Sequence, residues 1–348
     1  MFHRLKTLFQ RPLEIAGTAA EAAAPVEIAA PGVPPFDVKA ALIDADGLPV
    51  MDWQRAGAWV QTIADEAAQA SAWIDCERAW LAHLREALGP AYRLQAEGDA
   101  LLLSSLSRPV AQATLTFVNR TQQRILRTLD GVAQAGGSGH DILIVFSDED
   151  LYYRYVAHYY PEAGEFAASS GMYINHGCGH FVTVSADLHV VEPVIAHELT
   201  HACLGHLPIP AWLNEGLAVN TERRLTPRPG LVQDARLMHQ RHLAFWGETE
   251  IQQFWSGKSF LRNDEANELS YDLARLLVEQ FATDWVPFAA FACAAELGDA
   301  GAAAAREHLA LDLGGAVCAV LGREPEPAWS PQPQTWADSP ERGAFHWH

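Results

Sequence analysis

The chain is poor in cysteine and in positive charge, and it has no long apolar run. Its five cysteines (Cys76, Cys178, Cys203, Cys293 and Cys318) are odd in number and widely spaced, with no Cys-x-x-Cys pair. That pattern argues against a disulfide framework and fits reduced, mostly buried thiols in a cytoplasmic protein. Lysine and arginine number 24 against 43 aspartates and glutamates, a formal charge of −19. Tracking nucleic-acid phosphates requires Lys and Arg to displace counterions, so no nucleic-acid partner is expected. A basic face for anionic lipid is equally unsupported. No stretch of 18 or more apolar residues occurs, so no transmembrane segment is expected. The opening residues, MFHRLKTLFQRPL, are basic and amphipathic, without the apolar stretch and small-residue cleavage site of a secretory signal.

The chain does have enough apolar content, 49% of its 348 residues, to build a sizeable core. Residues 1–36 read as a flexible leader, rich in Ala, Pro and Glu from residue 14 onward. Residues 37–99 read as a helical region. Apolar positions from Trp53 to Leu88 recur at threes and fours until Gly89-Pro90 stops them. At that spacing Trp53, Trp59, Trp73 and Trp80 are expected in a core rather than in a ligand box. Next come a short strand at Leu101–Leu103, a helix to about Leu129 and a buried strand at Asp141–Phe146. A tyrosine-rich helix comes after it, then two strands around the turn His176-Gly-Cys-Gly. Beyond these the sequence is mostly helical to about Leu321. Residues 323–348 carry many prolines and read as a disordered tail.

Residues 197–201 spell His-Glu-Leu-Thr-His on a helical segment that Gly205, Pro208 and Pro210 end. Two histidines four apart share one helix face, so both imidazoles reach a single Zn²⁺. Glu198 lies about 100° round the helix from His197, placed for a metal-bound water rather than as a ligand. A second helix starting near Pro210 can present Glu215 as a candidate third ligand, which would complete an open, catalytic type of site. The metzincin alternative requires a Gly and a His where this chain has Leu204 and Leu207. Tyr271, near the start of a later helix, is a candidate donor to a developing oxyanion. A β-branched strand at Phe181–Val184 precedes the zinc helix, and an exposed edge there would accept an extended peptide. His176, Cys178 and His180 alternate, leaving open a second metal site, a thiol cap on the zinc, or a plain turn. His206 is expected as a helix-end partner, and Arg223 and Arg224 as a solvated helix end or a grip on a substrate carboxylate.

His197-Glu-Leu-Thr-His201, followed by Trp212-Leu-Asn-Glu215-Gly-Leu-Ala218, resembles the gluzincin zinc metallopeptidases, specifically the bacterial peptidase MA-like group. The resemblance covers about residues 100–322. It implies an α+β zincin-like domain with a small mixed sheet and active-site helices, preceded by the helical region. It implies one zinc held by His197, His201 and Glu215, Glu198 as catalytic base, Tyr271 in the active site, and a peptide or protein substrate. An inactive zincin-like scaffold that binds a protein partner, or a non-peptidase zinc hydrolase, would use the same residues. One departure stands out. The thermolysin-like pattern has an aspartate four residues after the zinc glutamate, and here that position is Val219, followed by Asn220. Support for the first histidine must then come from elsewhere, with Asn220 or a backbone carbonyl as candidates.

Overall fold

A computed structural model describes residues 23–135, 139–159, 171–184, 188–227 and 234–336. The fold is mixed α/β, with long helices around small sheets. Two hairpins open it: β1 (Glu27–Ile28) with β2 (Phe36–Asp37), and β3 (Leu42–Ala45) with β4 (Leu48–Met51). Helices α1 (Trp53–Val60) and α2 (Glu66–Leu88) come next, then the hairpin β5 (Arg93–Glu97) and β6 (Ala100–Ser104). Helix α3 (Arg108–Thr128) leads to β7 (Asp141–Phe146). After it stand α4 (Glu149–Tyr159), β8 (Gly171–His176) and β9 (Cys178–Val184). The remainder is helical: α5 (Leu188–Leu204), α6 (Ala211–Leu225), α7 (Ala235–Phe245), α8 (Glu248–Trp255) and α9 (Glu265–Phe281), then α10 (Trp285–Ala294), α11 (Ala302–Leu309) and α12 (Leu313–Leu321).

The main sheet has the order β5-β6-β7-β9-β8. Its centre is parallel (β6 with β7, β7 with β9) and both outer pairs are antiparallel. Strand side chains alternate between faces. Leu102, Leu143, Val145 and Phe181 join a core built with α3, α5, α6 and α9. Leu101, Leu103, Ile142, Ile144, Phe146 and Val182 join a second core with α2, α4 and the N-terminal hairpins. A central strand buried on both sides needs a continuous apolar run, and Ile-Leu-Ile-Val-Phe in β7 supplies it.

The structure corrects several expectations. The helix expected from Asp52 to Leu88 is two helices. It breaks at residues 61–65, where Ile63 is buried and its carbonyl accepts from Gln69 Nε2 at 2.7 Å. The leader expected over residues 1–36 is ordered where described. Ile28 and Phe36 are buried in the second core, and Trp59 Nε1 donates to the Pro34 carbonyl at 2.9 Å. Residues 1–22 lie outside the described residues. A boundary at residue 100 falls inside the β5–β6 hairpin, so residues 37–99 share the main sheet and the second core with β6, β7 and β9. Trp53 and Trp80 are core residues as their spacing suggests, while Trp59 and Trp73 are partly buried against the same packing. The tail expected over 323–348 packs as far as Trp336. Trp329 is buried beneath the Arg323 guanidinium, and its carbonyl accepts from Trp255 Nε1 at 2.8 Å. Aromatic anchors outweigh the prolines there; residues 337–348 lie outside the described residues. Finally, β9 lies between β7 and β8, so the edge strand beside α5 is β8 and not Phe181–Val184. Among the described residues, no helix is long and apolar enough to cross a membrane.

Candidate metal centre

Helix α5 sets Ile195, Leu199 and Cys203 into the core, which turns His197 and His201 toward α6. Pro193 lies inside this helix, which begins at Leu188, rather than in its first turn. The chain then reverses, and Leu213 N–H and Asn214 N–H bond back to the Pro210 carbonyl to start α6. Residues Ala211 to Ala218 of α6 are buried without interruption. Gly216 makes this possible. A Cβ there would stand 2.6 Å from the Ala274 carbonyl oxygen and from Val278 Cγ2, so only glycine lets α6 and α9 approach this closely.

His197 Nε2 lies 3.3 Å and His201 Nε2 3.5 Å from the same oxygen, Glu215 Oε2. The three potential ligand atoms fall within 4.8 Å of one another. Ligands around a tetrahedral zinc with bonds of about 2.0–2.1 Å stand about 3.3–3.4 Å apart, so the spacing suits one ion between them. The carboxylate itself supplies an independent sign. Both oxygens of Glu215 are buried and neither has a hydrogen-bond partner. The Trp53 indole nitrogen is the only other such side-chain atom among the described residues. A buried carboxylate without a hydrogen bond is costly, and a metal ion shared with the two imidazoles would offset that cost. Burial alone would raise its pKa, but the two histidines hold it down at about 2.

The outer nitrogens of both imidazoles meet residues of α6. His201 Nδ1 bonds Asn214 Oδ1 at 3.0 Å, which leaves the Nε2 lone pair facing Glu215. His197 Nδ1 lies 3.4 Å from Glu222 Oε2, two turns beyond Glu215 on the same helix. Glu222 therefore stands where Asn220 was expected. Asn220 instead donates to the Gly216 and Arg275 carbonyls, at 2.8 and 2.9 Å, and ties α6 to α9. Burial pulls the His197 pKa down, but Glu215 and Glu222 outweigh it and hold the imidazole well above its usual range.

Glu198 is not one of the three clustered groups, and its Oε2 accepts from Tyr173 N–H of the edge strand at 3.0 Å. Burial raises its carboxyl, against the pull of both histidines. A raised carboxyl beside a metal position suits a group that takes and returns a proton. Tyr271, on α9 behind the N-cap Asp264, packs edge-on against Phe260, with its ring 6.4 Å from the His197 ring. Its hydroxyl stays protonated because burial, and then Glu215 and Glu198, push its pKa well up.

The structure thus brings together His197, Glu198, His201, Glu215 and Tyr271. The other candidates separate from them. His180 is fully buried, with Nδ1 on the Cys178 carbonyl and Nε2 on the Tyr155 hydroxyl at 2.8 Å. Cys178 Sγ lies 3.8 Å from Glu77 Oε1, and His176 is exposed. Among the described residues only the His197, His201 and Glu215 group has metal-ligand spacing, which removes both the second metal and the thiol cap. His242 is satisfied by Trp246 Nε1 at 2.8 Å and Asp272 at 3.0 Å. Arg223 and Arg224 are exposed at the end of α6. Asn214 and Glu222 were not anticipated. Their one trace in the sequence is position: Asn214 adjoins Glu215, and Glu222 comes after it at a helical repeat of seven. No protein-family model matches this chain, and no curated protein matches it.

Proposed function

We propose that this chain is a zinc-dependent metallopeptidase of the gluzincin type on a zincin-like domain, hydrolysing peptide bonds of a peptide or protein substrate. The observation that carries the reading is the buried Glu215 carboxylate, which has no hydrogen bond and faces two imidazoles at 3.3 and 3.5 Å, with Glu198 next to His197 on α5. A purely structural zinc site would close its fourth position with Cys or His and would have no use for a neighbouring base.

His197, His201 and Glu215 would hold the metal, with Glu222 and Asn214 fixing the imidazole orientations. A zinc ion bound there supplies Lewis acidity toward the scissile carbonyl and makes water a nucleophile at neutral pH. Glu198 takes the proton of the attacking water and returns it to the leaving amine, the work for which its raised pKa suits it. The Tyr173 N–H holds that carboxylate in position between the two transfers. Tyr271 keeps its proton and donates a hydrogen bond to the oxygen on which negative charge develops.

The test is Glu198→Gln in a digest of a broad peptide mixture. The expected result is one zinc per chain in both proteins, with cleavage by the wild type and none by the variant. Equal cleavage by the variant, or zinc-loaded wild type that cleaves nothing, would sink the reading.

A further inference from the structure

Glu198 also lines a groove of about 820 Å³ that leads away from the metal cluster. One wall is the face of α5 that carries Leu199 and Ala202. The other is the first half of α2, and the floor is the start of β7 and the tip of the β8–β9 hairpin. The N-terminal part of the chain therefore builds one wall of the cavity that reaches the proposed base. Its volume is within the usual range for ligand sites.

The groove's charge is one-sided. Among the described residues its lining holds the carboxyls of Glu66, Glu77, Asp141 and Glu198, the imidazoles of His140 and His206, and no lysine or arginine. Glu77 is buried and accepts from both the backbone and the ring of His140, whose far nitrogen meets Arg78 from outside at 3.2 Å. That carboxylate is spoken for. Glu66 is exposed at the rim, and Asp141 is partly buried with one bond from Gln122 at 2.5 Å. The partly buried Trp73 lines the same groove, on one α2 face with Glu66. Carboxylates around an aromatic face are the surroundings that favour an ammonium or guanidinium group.

We propose that this groove binds an extended polypeptide segment and selects a Lys or Arg side chain, held by Trp73, Asp141 and Glu66. Charge complementarity names the occupant: an acidic groove in a chain of net charge −19 draws basic segments and repels acidic ones. A fixed cation beside Asp141 would also favour its ionised form, which burial now opposes by raising its pKa to about 6. The inference rests on the peptidase reading for its link to catalysis, but binding alone tests it.

The probes are fluorescein-labelled octapeptides of Gly, Ala and Ser with a central Lys, Arg, Ala or Glu. Polarisation is read on the zinc-loaded full chain at low temperature and again with the metal chelated. Lys and Arg peptides are expected to bind about tenfold more tightly than Ala peptides, and the margin shrinks with added salt. Glu66→Gln, at an exposed position that keeps the fold, should cut the margin about threefold, and Asp141→Asn at least as much. Trp73→Leu should reduce it further while a thermal melt stays cooperative. Equal binding of Lys and Glu peptides, or a preference untouched by all three substitutions, overturns the proposal. Cleavage without a basic preference overturns the groove assignment alone. A basic preference without any cleavage supports the groove and overturns the peptidase reading.

Discussion

Two buried polar clusters lie in different parts of the fold. Beneath α2, Glu77, His140, His180 and Tyr155 form a patch in which the carboxylate and both ring nitrogens of His180 are partnered within the protein. Between α5 and α6, His197, His201 and Glu215 leave two carboxylate oxygens without a hydrogen bond. Both clusters mix imidazole and carboxylate, so residue type does not separate them. Completeness does. A closed network is finished by its own chain and serves packing, whereas an open one has room for a bound ion.

Several substitutions press on that contrast. His201→Ala should abolish both metal content and hydrolysis, while the cluster beneath α2 is untouched; bound zinc by elemental analysis is the measurement. Glu198→Gln should lower hydrolysis by about 10²–10⁴-fold with zinc content unchanged, read by initial rates beside elemental analysis. Glu222→Ala should weaken zinc binding about 10–100-fold, by competition against a chelator of known affinity. If Glu222→Ala binds zinc like wild type, the His197 contact at 3.4 Å orients nothing. Gly216→Ala should push α6 from α9 and cost about 1–3 kcal/mol by thermal or urea unfolding. A comparable effect belongs to the closed cluster. Burial lowers the His180 pKa from 6.5 to about 4. The unfolded chain therefore takes up a proton between those values that the folded chain refuses, and stability falls as pH drops through that window. In urea titrations at pH 7 and 4.5, His180→Gln should flatten this loss. An equal loss in both proteins would mean that His180 does not carry it.

The cluster of candidate ligands was legible because its spacing is local. His197 and His201 sit one helical turn apart, and Glu215 lies just past a short proline-marked reversal. The groups that support the ligands were not legible, because they depend on how α6 docks. Asn214 and Glu222 acquire their partners only when that helix lies across α5, and Asn220 is drawn off by α9. Strands β7, β8 and β9 were readable as segments. Their order was not, because a parallel crossover places β9 inside the sheet and β8 at its edge. The folded ends escaped for a different reason. Proline and alanine suggest loose chain, but single aromatics such as Phe36 and Trp329 outweigh them once a core exists to receive them.

Glu215 is 1% exposed and His201 4%, and both sit under a helix that cannot lift without breaking its seam at Gly216. An ion lodged there would exchange with the medium slowly, at a rate set by local opening of α6 rather than by diffusion. Loading and removal would both be slow but possible, because the His197 side chain is 15% exposed. Occupancy would then lag behind the zinc level of the medium by the time that helix takes to open.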